Sequence, residues 1–162
     1  MSYQVSSPQI VGQAITNSST TQNLPLGTIV QAIDETYGAG EFIYLKGAAS
    51  TTVGSVVTYN SDDNSTTLLA ANAIGPVAVA MSASVAGEFG WYQIQGKAVV
   101  KAGTVADNGN VYATATAGTV DDAVVAGDRV KNAKFASADG TPSAGLAECE
   151  IARPFMDDAV AA

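Results

Sequence analysis

Histidine is absent from this chain, and cysteine occurs once, as Cys149. Ser-His, Cys-His and His-zinc arrangements are therefore excluded, and with them the commonest hydrolase and metal chemistries. A lone thiol closes no internal disulfide, so stability falls to the core and to assembly. Charge is also scarce, at 14% of residues against about 25% in an average globular domain. Seven Lys and Arg face fifteen Asp and Glu, a formal net charge of -8. That balance repels nucleic-acid phosphates, and no nucleic-acid partner is expected. Apolar runs such as Val77 to Met81 fall far short of the roughly 20 residues of a membrane-spanning helix, so no membrane partner is expected either. The opening Met1-Ser2-Tyr3-Gln4-Val5-Ser6-Ser7-Pro8 has neither a basic leader nor an apolar segment and is not read as a secretory signal. A phosphate-cradling loop is missing too, because Gly96-Lys97 is followed by Ala98 rather than by a hydroxyl residue, and no cofactor is expected.

What the chain does contain is 47% hydrophobic residues in 162 positions, enough for one core. Its polar surface must come from Ser, Thr, Asn, Gln and Gly, which suit strands and turns. Short runs of Val, Ile, Tyr and Thr are separated by Gly, Asn, Asp or Pro. They predict strands at about 28–33, 42–46, 56–60, 67–70, 75–82, 90–95, 98–101, 111–116, 128–136 and 146–152. No segment carries a sustained helical stripe, although 121–130 has room for a single helical turn. The expected fold is all-β: a small β-barrel or jelly-roll-like sandwich of about 8–10 short strands.

Three regions follow from composition. Residues 1–23 carry no charge and are dense in hydroxyl and amide side chains, so they read as an extended arm that orders on a partner. Residues 24–154 form the β domain and 155–162 a C-terminal tail. Ile10, Val11 and Ile15 are the arm's candidate contact residues, apolar positions in an otherwise polar stretch.

An internal echo runs through the β domain. Gly27-Thr28-Ile29-Val30, Ala39-Gly40-Glu41-Phe42 and Gly47-Ala48 recur as Gly75-Pro76-Val77-Ala78, Ala86-Gly87-Glu88-Phe89 and Gly96-Lys97-Ala98, with a third Ala-Gly-acid step at Ala126-Gly127-Asp128. Each copy reads as strand, tight turn at Ala-Gly, strand, Gly kink and strand, a unit that needs another to bury its apolar face.

The echo pairs Glu41 with Glu88 at equivalent repeat positions, the one carboxylate couple with a catalytic reading; a glycosidase needs its two carboxylates about 5–9.5 Å apart. Solvent-facing turn residues are the favoured reading, and no catalytic residue is assigned. The acidic steps Asp62-Asp63-Asn64, Asp121-Asp122 and Asp157-Asp158 lack the alternating spacing of a calcium loop and are read as turns, so no metal site is assigned. Trp91 and Tyr92 are adjacent, so a strand there sends one ring to each face. One ring is then exposed, as a sugar platform or protein anchor, unless the sheet is covered on both sides. Cys149 alternates with Ala147 and Ile151 and reads as a small buried hydrophobe, with Glu148 and Glu150 on the wet face.

Together with Gly109-Asn110-Val111-Tyr112 and Gly145-Leu146-Ala147-Glu148, these motifs resemble the capsid decoration, or head cement, proteins of tailed bacteriophages. The resemblance spans roughly 24–154. It implies a non-enzymatic β protein on the outer surface of the virion's icosahedral head. Its partners would be the major capsid protein, at junctions between subunits, and itself, as a homodimer or homotrimer. Two other classes fit the same composition: another phage structural subunit of tail or spike, and a carbohydrate-binding β module using Trp91 or Tyr92.

Overall fold

The computed structural model describes residues 1–5 and 12–157. Among them there is no helix, and twelve strands follow in order: β1 (Gln4–Val5), β2 (Ser18–Ser19), β3 (Ile29–Asp34), β4 (Gly38–Lys46), β5 (Val56–Tyr59), β6 (Thr66–Leu68), β7 (Gly75–Ala80), β8 (Phe89–Lys101), β9 (Asn110–Ala113), β10 (Val120–Asp121), β11 (Arg129–Phe135) and β12 (Leu146–Met156). All named strand pairs are antiparallel, on a path β1-β3-β4-β8-β7-β12-β11-β9-β10, with β5 and β6 branching from β7 and β2 from β8. The path does not close on itself, as befits a sandwich-like fold. One contact bends it towards closure: the end of β4 meets the start of β6 through a bridge between Lys46 and Ser65.

β8 organises the rest. Its first half pairs with β4 and touches β7, and its second half pairs with β12 from Gln95↔Ala152 to Lys101↔Leu146. The bend between the halves lies at Gly96, where φ is +102° and a Cβ would sit 2.5 Å from the Ala39 carbonyl oxygen. Only glycine accepts both that backbone conformation and that approach. The predicted break between two strands at 95–98 is thus one strand that changes partners.

Three apolar clusters flank this hub. The largest lies between the second half of β8 and β5, β7, β9, β11 and β12, and includes Val77, Val100, Val111, Phe135, Cys149 and Met156. A second gathers Val57, Ala78, Tyr92 and Ile94 with Ile43 and Leu45. The third covers the opposite face of β4 and β8, where Phe42, Tyr44 and Trp91 pack under Ile15, Leu24 and Leu26. Each of those three rings removes on the order of 150–250 Å² from water, about 4–6 kcal/mol apiece as an upper bound.

The cover over the third cluster comes from the segment predicted to be a free arm. Ile15 is 2% exposed, β2 pairs with Ser18↔Gly90, and β1 pairs with β3. Gln13 fixes the segment. Its Nε2 donates to the Asn17 and Phe89 carbonyls at 2.7 and 2.9 Å, and its Oε1 accepts from Asn23 Nδ2 at 3.0 Å and the Tyr44 hydroxyl at 2.8 Å. Its main-chain oxygen accepts from Trp91 Nε1 at 3.0 Å. The described part of residues 1–23 is therefore packed on its own body, which corrects the expectation of an arm waiting for a partner. The physical reason is that one well-satisfied amide and one isoleucine suffice when two aromatic residues supply the other side.

The N-terminal strand is held at Asp34. Burial pushes its pKa up, but the N–H groups of Ser2, Tyr37 and Thr36, helped by the positive N-terminus, outweigh this and the net shift is downward. Beside it, Tyr3 packs edge-on against Phe42 with ring centroids 4.8 Å apart.

The predicted repeat is differently built. Eight turns, at 25–28, 52–55, 70–73, 85–88, 106–109, 116–119, 125–128 and 143–146, share an N–H to C=O bond from fourth to first residue and a positive φ at the third. The third residue is glycine six times and asparagine twice, as that geometry demands. Ala86-Gly87-Glu88 and Ala126-Gly127-Asp128 belong to this set. Ala39-Gly40-Glu41 does not: it lies inside β4, and Gly40 is small because a Cβ there would meet Gln93 Nε2 at 2.9 Å.

Candidate functional site

Glu41 and Glu88 stand at opposite ends of the β4–β8 pair. Glu41 is opposite Gln95, whereas Phe89, next to Glu88, is opposite Lys46. At about 3.3 Å per residue the two carboxylates are roughly 20 Å apart, well beyond a glycosidase pair. Each has local work: Glu41 lies 3.4 Å from Arg153, and Glu88 accepts from the Val85 N–H at 3.0 Å and Ser18 Oγ at 3.1 Å. The acidic steps behave similarly. Asp63 accepts from the Ser65 N–H and hydroxyl, which hold its carboxyl below the usual range. Asp121 accepts from the Ala123 N–H. Among the described residues no group of three or more His, Cys, Asp or Glu side chains is placed to hold a metal ion.

Trp91 and Tyr92 do point to opposite faces, but both faces are covered. Trp91 is fully buried beneath the Gln13 segment and Tyr92 is 2% exposed in the second cluster. Burial raises the Tyr92 pKa, opposed by the side-chain hydroxyls of Thr66, Ser84 and Thr51 around its phenol. The exposed-aromatic expectation is corrected for both residues, and a sugar platform built on them loses its premise. Ile15 is likewise committed within its own chain, while Ile10 and Val11 lie outside the described residues. Cys149 is buried as its alternation predicted, and burial pushes its thiol up to about 12, so it is no nucleophile at neutral pH.

An open groove of about 750 Å³ crosses the outer face of β8, β11 and β12, lined by Lys97, Arg129 and Lys134 against Glu150. Ion pairs lace the surrounding face, with Lys97 on Glu148 at 2.6 Å, Lys131 on Asp157 and Arg153 on Glu41. Paired charges at a surface contribute little stability and offer no acid–base couple.

Sequence reasoning missed the apolar side chains at the two ends of β7. Beyond its start, Ile74 is 66% exposed, and the loop it shares a contact with carries Val124 at 68% and Val125 at 47%. The two loops are joined by Asp128, a buried carboxylate whose Oδ1 accepts from the Asn72 N–H at 2.6 Å. Beyond the other end of β7, Val53 and Val85 are exposed on turns joined by the Thr51–Ser84 bridge. A signal was present: 69–76, 123–127, 47–60 and 75–87 contain no charged residue.

No protein-family model matches the chain, and no curated protein matches it. No helix among the described residues is long and apolar enough to cross a membrane.

Proposed function

We propose that this protein is a non-enzymatic virion component, a capsid decoration or cement protein that binds the exterior of an assembled phage head. It would stabilise the head at junctions between major capsid protein subunits. The observation that carries the reading is the placement of exposed aliphatic side chains at opposite ends of β7. A protein that clamps neighbours needs two separate grips facing away from each other, and needs no active site. The motif resemblance supports the same role. So does the acidic balance, since a protein inside the head would face packaged DNA.

Binding only the assembled shell stabilises that state by mass action, by RT ln(1 + [L]/Kd) per site. A body of 7415 Å² has room for several contacts of about 800 Å². Self-association, as dimer or trimer, has its best support in β3, where Ile29 and Ile33 are 39% and 49% exposed on one face. Mixing the purified chain with expanded heads that lack it tests the proposal. Co-sedimentation, added density on the outer surface by electron microscopy, and a higher temperature of head disruption are expected. Heads that neither bind nor gain stability would refute it.

A further inference from the structure

We propose that the end formed by loops 70–75 and 122–127 is a preformed docking tip, and that its occupant is an apolar depression rimmed by Lys or Arg on the outer face of the shell. The assignment rests on the shell-binding reading above and names which end of the molecule meets the shell, and by what chemistry.

Ile74, Val124 and Val125 are the centre of the tip, and 123–126 are exposed throughout. Loops that carry large aliphatic side chains into water are usually mobile, yet these two are locked. Asp128 is 4% exposed, its carboxylate holds the Asn72 N–H, and Gly127 leaves just enough space for the Asn72 side chain, whose Oδ1 would lie 2.8 Å from a Cβ there. A buried charge spent on joining two surface loops presents their apolar residues in a fixed geometry, which lowers the entropy lost on binding.

Charge identifies the occupant. The loops are uncharged, and the stretch 102–128 beside them carries Asp107, Asp121 and Asp122, with Asp128 buried at the joint, and no Lys or Arg. On the other side, where Met156 pairs with Gly75, the one nearby cation, Lys131, is neutralised by Asp157. Asp122 joins the acidic stretch to the neighbouring turn by accepting from the Ala106 N–H at 2.8 Å. The next cation along the chain, Arg129, donates to Asn110 and lines the groove with Lys134. An apolar centre with an acidic rim complements an apolar hollow with a basic rim. It repels a second copy of itself, whose rim carries the same sign. Area argues the same way: the three side chains expose on the order of 300 Å², against about 800 Å² per partner in a stable pair. A contact of that size holds when the other end of the same molecule is gripped as well, as it is on a repeating lattice.

The test uses the full-length chain and expanded heads that lack it. I74S/V124S changes only exposed side chains, so its urea midpoint should match wild type while its head affinity falls at least tenfold. D107N/D122N keeps the amide acceptors and removes two charges. Raising salt from 0.1 to 0.5 M should weaken wild-type binding severalfold and this variant's much less. Unchanged head affinity in I74S/V124S would overturn the docking tip while leaving shell binding intact. A wild-type multimer in sedimentation that I74S/V124S converts to monomer would overturn it too, by making the occupant a second copy. Wild-type protein that ignores heads altogether would remove the shell-binding reading, and the tip's partner with it.

Discussion

Replacing Gln13 with alanine isolates what holds the N-terminal segment on the body. The side chain makes four hydrogen bonds. Two of their partners, the Asn17 carbonyl and Asn23 Nδ2, belong to exposed residues and recover water when the amide is lost. The other two do not: Tyr44 is fully buried, and its hydroxyl keeps only the Asn23 N–H at 3.3 Å to accept from, with no acceptor for its own proton, while the Phe89 carbonyl lies beneath the segment. Leaving a buried polar group unpaired costs about 1–3 kcal/mol, so Q13A should lose about 2–4 kcal/mol. For a chain of this size that is a fall in Tm of about 6–12 °C. Trp91 is the single tryptophan and donates to the Gln13 main chain, so its fluorescence follows both the segment and the core beneath it. Urea melts read by that signal give the loss directly. A double-mutant cycle with Y44F separates the shared bond from the rest, because deleting both partners spares the stranded hydroxyl; a coupling of about 1–2 kcal/mol is expected. A loss below about 0.5 kcal/mol with no coupling, and Trp91 still shielded from acrylamide, would refute the latch.

Three further outcomes follow from geometry. G96A should cost about 3 kcal/mol or more, or prevent folding, because it adds a clash with the Ala39 carbonyl to a positive φ; G87A, at φ +84° with nothing within 4 Å, should cost only about 1 kcal/mol, and equal urea midpoints would contradict the close crossing of β4 and β8. The Asp34 carboxyl is held below its ordinary value in the fold, so its contribution is complete above about pH 4, the unfolded value, and is lost as pH falls through the folded value. The stability gap between wild type and D34N should therefore narrow on acidification, and a gap that is flat or widens between pH 5 and 2 would exclude that role. Cys149 should resist a thiol reagent at pH 8 in the native protein and react at once in urea; rapid native labelling would contradict its burial.

The β grammar of the chain was legible in two forms: outer strands that alternate, and inner strands such as β4, β7 and β8, buried on both faces, that read as short continuous apolar runs. β3 alternates exposed and buried residues along its whole length, and β12 places Ala147, Cys149 and Ile151 inward between Glu148 and Glu150. The two-residue strands β1, β2 and β10 left no such trace, being too short for alternation to register. The N-terminal segment was misread for a related reason. Composition counts how much apolar surface a segment owns, and 12–23 owns little. What fixes it is the apolar surface it covers, Phe42, Tyr44 and Trp91, which lies thirty to eighty residues away and is invisible to a local count. The alternation of Trp91 and Tyr92 onto opposite faces is right, but alternation leaves open whether the second face is covered, and the layers that cover both come from distant segments.

The candidate contact surface moved for a reason that links these points. Low charge density points to the N-terminal segment as a binding arm, yet charge-free stretches also occur at 47–60, 69–76 and 123–127, each with a turn that has a positive φ at its third residue. Such turns reverse the chain tightly and give their flanking residues a fixed direction. A valine or isoleucine there is neither drawn into the core nor left on a floppy loop; it is aimed outward. Uncharged sequence thus has different fates in this fold. Where an aromatic face lies within reach it becomes a cover, as at Gln13 and Ile15. Where it is pinned at the end of a strand, as at Val53, Val85, Ile74 and Val124, or stands on the outer face of β3, as at Ile29 and Ile33, it stays exposed and free to meet another molecule.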